Sequence, residues 1–370
     1  MILDGYARLA KHAGRREPAA MLDALATLEG DPVAIADTLR RHHLLAPIRA
    51  HLPEDELRAR LSAELVDAIE SRRPIQRVPL ATMMRVFDEV RVALEAARVP
   101  VLLLKGFYFA ARLYGGADGR PQHDVDVLVR PRDFRAAVAV LRRLAFSPRA
   151  RDLHSRTFTR AGVAIDVHHA LRRAPALRLD EEALWCTARD VEVDGLTIRT
   201  LSDEYTLALL VLASFEDLGQ GAAKLKQLLD TYLLLREIDA TTDWEQFFAG
   251  RARENLLAIT VNVFAVVTEL FEAGADLPRL CAALDERRPL QVLRSRAEIL
   301  ALVAAPPKHD ANLTWFGRIY PGSMAHYLVW FWYGGFPANL AQLRPAWLRS
   351  KLRLLLELGR VRRATARGGV

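Results

Sequence analysis

The chain has 370 residues, 51% hydrophobic and 26% charged, enough for a sizeable core in two closely packed domains, which excludes a disordered or fibrous chain. A formal charge of +7 and a pI near 9.6 favour anionic partners such as nucleotides, phosphorylated molecules or nucleic acid. Only Cys186 and Cys281 are present, far apart and with no His or Cys at zinc spacing, so neither a disulfide framework nor a structural zinc is expected and a reducing, cytoplasmic setting fits.

The opening MILDGYARLAKHAGRR has an early Asp and no apolar core, so it does not read as a secretory signal. Residues 17–97 are predicted helical, with Leu22, Leu25 and Leu28, then Leu65, Ile69, Val86, Val90 and Leu94, at helical spacing around Pro74 and Pro79. After Pro100 the run VLLLKG predicts a short buried strand entering a turn at Gly106. Phe107 to Tyr114 is predicted helical, GGADGRPQH a loop, and Val125 to Val129 a second buried strand. Pro131 and Asp133 open a helix that buries Phe134, Val138 and Leu141. Thr157–Thr159 and Val163–Val167 are the third and fourth strands, parted by Ala161 and Gly162.

DVEVDGLTIRT, residues 190–200, predicts a hairpin turning at Asp194-Gly195, and Ser202 caps the next helix. Further helices are expected at 222–236, 243–272, 285–303 and 340–360. The apolar stretch from Leu256 to Phe271 is broken by Thr260, Asn262, Thr268 and Glu269, too short and polar to span a membrane. The resulting fold class is α+β: a helical N-terminal region over 1–97, a small mixed-sheet core over 98–200 and a mostly helical C-terminal domain over 201–370. No internal repeat or low-complexity tract is found.

The chemistry centres on HDVDVLV. Alternate strand residues share a face, so Asp124 and Asp126 are expected to project together while Val125, Val127 and Val129 enter the core. Two such carboxylates repel unless a cation such as Mg²⁺ compensates. The pattern alone is weak, since 45 acidic residues in 370 give roughly five such pairs by chance. Asp190, Glu192 and Asp194 make a longer alternating series, read as a solvated strand face. What distinguishes HDVDVLV is GVAIDVHH, where Asp166 again stands within an apolar run. If the two strands are neighbours, about 4.8 Å apart, three carboxylates converge. Three carboxylates can hold two divalent ions about 3.5–4 Å apart, a phosphoryl or nucleotidyl transfer site. Lys105 would then bring charge to the phosphates, and Gly106 would let backbone approach them.

VLLLKGFYFAARLY, GRPQHDVDVLV and AIDVHH resemble the successive motifs of the uncharacterised nucleotidyltransferase family, within the DNA polymerase beta-like nucleotidyltransferase superfamily. The resemblance is strongest over 99–170, echoes in the helices from 202 to about 275, and takes little from the first 80 residues. It implies a nucleotidyltransferase-like core with Gly106 as the glycine motif and Asp124, Asp126 and Asp166 as metal-binding catalytic carboxylates. It also implies Mg²⁺ or Mn²⁺, an NTP with ATP first, and a basic residue from the helical domain over the phosphates, for which Lys224 and Lys226 are candidates. Related proteins often stand beside biosynthetic genes. The superfamily usually has Gly-Ser or Gly-Gly where this chain, like its subfamily, has Gly106-Phe107, so no hydroxyl follows the glycine.

Arg120, in the glycine-rich loop, is a candidate phosphate clamp or a solvated loop residue. Of His123, His154, His168 and His169, only His168 is expected on the Asp166 face, as a partner of the metal ligands or an acid/base group. Lys226 also has Asp230 at i,i+4, a pair worth about 0.3 kcal/mol on a solvated face. The aromatic run from Tyr327 and the basic tail suggest a membrane-surface or nucleic-acid contact, against which the leucines at 352–358 favour a packed terminal helix. The leading expectation is transfer of a nucleoside monophosphate to a small-molecule, peptide or protein acceptor. The alternatives are kinase-type phosphoryl transfer at the same site and a non-catalytic, antitoxin-like binding module. Nucleic acid is the less expected acceptor, since aromatics and basic residues do not interleave near the site.

Overall fold

The computed structural model describes residues 2–72, 79–116, 119–120, 122–151, 155–171, 177–305 and 310–320. The helix expected at 340–360, the aromatic run, the basic tail and His154 lie outside them.

Seven helices come first: α1 (Ile2–Arg15), α2 (Pro18–Ala26), α3 (Pro32–Arg41), α4 (Leu45–His51), α5 (Glu54–Arg60), α6 (Ala63–Ser71) and α7 (Leu80–Ala96). The helical reading starts earlier than predicted, because α1 buries Tyr6, Leu9, Ala10 and Ala13 along one face and packs on α2. Asp31 and Ser62 cap α3 and α6 by accepting from Ala34 N and Leu65 N. Between α3 and α4, His43 takes a left-handed conformation, φ +58°.

The sheet region runs β1 (Val101–Leu103), α8 (Phe107–Tyr114), β2 (Val125–Val129), α9 (Phe134–Arg143), β3 (Ser147–Arg151), β4 (Ser155–Arg160), β5 (Val163–His168), α10 (Glu181–Cys186), β6 (Arg189–Val193) and β7 (Leu196–Thr200). Among the described residues, these seven strands join one mixed sheet in the order β3-β4-β5-β2-β1-β7-β6. The β4–β5 hairpin turns at Ala161 and Gly162, and the β6–β7 hairpin at Asp194 and Gly195, all at positive φ. β3 was not foreseen: SPRAR carries Pro148 and little apolar content, which suits only an edge strand, and its pairing slips between Pro148 and Ala150. The predicted hairpin at 190–200 is part of the same sheet, since β7 pairs parallel with β1 through Leu103 and Thr200.

β2 is central and buried along its whole length. It pairs antiparallel with β1 and parallel with β5, setting Val125 opposite Ile165, Asp126 opposite Asp166, Val127 opposite Val167 and Leu128 opposite His168. α7 packs on α9, β1 and β5 and covers one face. The valines of β2 anchor the strand, each worth roughly 1.5–3 kcal/mol on burial, and so offset the cost of keeping Asp126 at 4% exposure.

The remaining helices are α11 (Asp203–Gln220), α12 (Leu225–Ile238), α13 (Trp244–Arg253), α14 (Leu257–Leu270), α15 (Pro278–Glu286), α16 (Arg296–Ala304) and α17 (Asp310–Ile319). Ser202 caps α11 as expected, and Gly221 ends it at φ +65°. The single helix expected over 243–272 is two, broken at Asn255 with φ +60°. The expected 285–303 helix is likewise replaced by α15 and α16. The apolar run from Leu256 is α14, buried among α11, α12, α13, α16 and α17. Among the described residues no helix is long and apolar enough to cross a membrane.

Candidate functional site

The parallel pairing of β2 with β5 places Asp126 beside Asp166 on one face of the sheet. His168, two residues further along β5, returns to that face. Its Nε2 lies 3.0 Å from Asp126 Oδ1 and 3.4 Å from Asp166 Oδ2. β4 supplies two hydroxyls from the same side: Ser155 donates to Asp166 Oδ2 at 3.4 Å and Thr157 to Oδ1 at 3.3 Å. One ligand atom from each of Asp126, Asp166 and His168 falls within 4.8 Å of the others, a grouping suited to a divalent ion.

Asp124 precedes β2, is exposed at the rim of the cleft above this cluster and lines it together with Asp126. Loss of hydration in the cleft, and then the charge of Asp126, raise the Asp124 pKa. Burial alone would raise Asp126 too. The ammonium of Lys105, 3.2 Å from Asp126 Oδ2, and the His168 hydrogen bond outweigh it and hold this carboxyl well below the usual range. Asp126 is therefore the fixed negative charge of the site, and Asp124 the carboxylate more easily neutralised.

Lys105 reaches this position because Leu104 N donates to Asp126 O at 3.0 Å, extending the β1–β2 ladder past the last strand residue. Gly106 turns the chain into α8 at φ +83°, a conformation that disfavours side chains. A Cβ there would stand 2.9 Å from Gln122 Oε1. The Gln122 carboxamide is buried against this turn with neither of its polar atoms hydrogen-bonded, and it lines the cleft.

Arg120 is not a solvated loop arginine, and its fork is largely committed. Nε and Nη2 grip Asp230 of α12 at 3.0 and 2.8 Å, and Nη1 lies 3.4 Å from Gly106 O. Tyr114 OH donates to the same carboxylate at 2.7 Å, and the guanidinium lies over the Phe109 ring. This buried assembly ties α8 and the loop before β2 to α12. Burial pushes the Asp230 pKa up, but Arg120 outweighs it and the net shift is downward.

The opposite wall carries Lys224 and Lys226. The helix expected from residue 222 begins at Leu225, so Lys224 occupies its N-cap position and Lys226 its first turn. Burial, then Arg120, lower the Lys226 pKa to about 7. The start of α12 is held from far away in sequence. Leu225 N donates to His42 Nδ1 at 3.3 Å, and Lys226 N to His42 O at 3.3 Å. His43, beside it, faces the cleft and lies 6.5 Å from the His123 ring. The sequence reading assigned little to this N-terminal stretch, and nothing local in RRHHLL signals its role.

The cleft so formed has a volume of about 250 Å³ and brings together Lys105, Gly106, Arg120, Asp124, Asp126, His168, Lys224 and Lys226. Leu209, Leu210 and Ala213 of α11 give it an apolar side. His169 points elsewhere, edge-on to Phe134. The acidic series at Asp190, Glu192 and Asp194 lies exposed on β6 and its turn.

A family model described as uncharacterised nucleotidyltransferase matches residues 29–272, a span that includes every cleft residue named above. No curated protein matches the chain. Among solved structures, the antibiotic-resistance factor ANT(2'')-Ia is 16% identical, with a TM-score of 0.36 over 47% of this chain and 91% of its own. An antigenic nucleotidyltransferase-like protein from Paracoccidioides brasiliensis is 14% identical, with a TM-score of 0.31 over 50% of this chain and 94% of its own.

Proposed function

The chain belongs to the uncharacterised nucleotidyltransferase family, and from that premise we propose that it moves a nucleoside monophosphate from an NTP, ATP first, to a small-molecule, peptide or protein acceptor, with pyrophosphate leaving. The observation that carries this reading is the in-register pairing of Asp126 with Asp166 on neighbouring parallel strands, with Asp124 and Lys105 in the same cleft.

The donor set fits a divalent ion of the Mg²⁺ or Mn²⁺ class: carboxylate oxygens dominate it, and Lys105 already neutralises one of them at 3.2 Å. Such ions, when bound, supply charge neutralisation at the phosphates and polarise the acceptor oxygen. Asp124, Asp126 and Asp166 are the residues that would hold them. Asp166, which accepts hydrogen bonds from Ser155 and Thr157, would take the acceptor hydroxyl proton on a carboxylate oxygen. Lys105 and the Gly106 turn meet the triphosphate from one side, and Lys224 and Lys226 from the other. Arg120 keeps these two walls at a fixed separation through Asp230 rather than clamping phosphate itself. Cytoplasmic residence follows from the same reading, since the cytoplasm supplies NTP.

The test is to incubate the protein with each NTP, Mg²⁺ and a cell extract, and to search by mass spectrometry for products absent with Asp126→Asn. A gain of one nucleotide supports the proposal. A gain of one phosphate replaces it with kinase chemistry, and failure to bind nucleotide or metal removes the enzymatic reading.

A further inference from the structure

Among the described residues, the side chains grouped tightly enough to hold one ion include two of the three aspartates of the sequence pattern and leave Asp124 at the rim of the cleft. They are Asp126, Asp166 and His168, whose ligand atoms lie within 4.8 Å of one another. The reason is register: β2 and β5 set Asp126 against Asp166, and the strand period brings His168 back to the same face.

Three further observations concern what this pocket of donors would take. Lys105 engages Asp126 Oδ2, leaving Oδ1 as the oxygen that His168 Nε2 faces at 3.0 Å. Ser155 and Thr157 donate to Asp166 from outside the cluster, as the outer partners of a ligating carboxylate do. The carboxamide of Gln122, buried in the same cleft, makes no hydrogen bond to the protein. An imidazole nitrogen aimed between two carboxylates suits the first-row transition ions. Mg²⁺, by contrast, takes oxygen donors almost exclusively and gives up its water reluctantly.

We propose that His168 is a direct ligand, with Asp126 and Asp166, of a divalent transition ion, so that this site selects Mn²⁺ over Mg²⁺. The inference rests on the metal-dependent reading above and narrows it to a mixed nitrogen and oxygen donor set.

The experiment is an electron paramagnetic resonance titration of the full chain with Mn²⁺, read for ¹⁴N hyperfine coupling and followed by competition with Mg²⁺. Bound Mn²⁺ is expected to show coupling to one directly ligated imidazole and to resist displacement until Mg²⁺ is in more than about tenfold excess over the Mn²⁺ concentration. His168→Gln should abolish the coupling and bring the two affinities to within about threefold of each other. The coupling should survive His123→Gln, whose imidazole lines the same cleft. Mn²⁺ bound without ¹⁴N coupling, or coupling that persists in His168→Gln, overturns the inference while leaving a metal-dependent transferase intact. A protein that binds neither ion, with or without nucleotide, overturns the transferase reading itself. Absence of ¹⁴N coupling in the wild-type spectrum overturns the inference whatever the variant does, and a far-UV circular dichroism spectrum and melting temperature matching wild type separate loss of the ligand from loss of fold in His168→Gln, since His43 lines the cleft as well.

Discussion

The two walls of the cleft are built on different principles. The acidic wall is made of neighbouring strands, where a continuous ladder sets Asp126 against Asp166 and a one-residue slip of either strand would turn its aspartate to the other face. The cationic wall is the first turn of a helix, positioned by two 3.3 Å hydrogen bonds to His42 and by one buried ion pair to Arg120. The first wall is rigid because of the backbone itself, while the second depends on a few side chains. Substitutions in the acidic wall should therefore cost chemistry with little loss of fold, and those behind the cationic wall should cost fold or affinity.

The sharpest test is Asp126→Asn or Asp166→Asn, each expected to lower turnover on the order of a thousandfold in a nucleotide-transfer assay. Thermal melts should move by only a few degrees; residual activity within about tenfold of wild type would break the comparison.

Next is Arg120→Met, which strands the buried Asp230 carboxylate and should cost about 3–5 kcal/mol in urea unfolding. Adding Asp230→Leu should recover most of that loss, and a single variant as stable as wild type would show that α12 is held by something else.

Acid should loosen the same wall. Burial lowers the His42 pKa to about 4 from an ordinary 6.5, so between those values the unfolded chain binds a proton that the folded chain does not. Stability from this residue is present above about pH 6.5 and is lost as pH falls towards 4, a difference of about 3 kcal/mol. Denaturation curves at pH 7, 5.5 and 4.5 should show a smaller acid loss in His42→Asn, whose amide oxygen can still accept from Leu225 N.

The smallest effect is expected from Lys224→Ala and Lys226→Ala: about a tenfold rise in KM for the NTP, with kcat and melting temperature nearly unchanged. A matching fall in kcat would move either lysine to the chemical step.

How legible each wall is in the sequence follows from the same difference. Strand alternation is a local rule, so the shared face of Asp126 and Asp166 was readable, as were both hairpin turns and the Ser202 cap, whereas Asp124 falls just before β2 and stays exposed. The family resemblance added the order of the motifs. β3 was missed because a polar edge strand with Pro148 has no apolar signature. The burial of Arg120 was not foreseen because its partner is 110 residues away, and a glycine-rich flank says nothing about burial. His42 and His43 were missed altogether, since their role exists only once α12 docks against the turn between α3 and α4.

His42 and Leu225 lie 183 positions apart. As the chain leaves the ribosome, the imidazole appears early and its partner much later, after every strand of the sheet has been made. Closing so long a loop carries an entropic cost that no local contact offsets until α12 arrives. The acidic strands are therefore synthesised before Lys224 and Lys226, and until α12 is made Lys105 is the cleft lysine at hand to offset their charge. The cationic wall is thus the part of the cleft whose formation has to wait longest for its sequence.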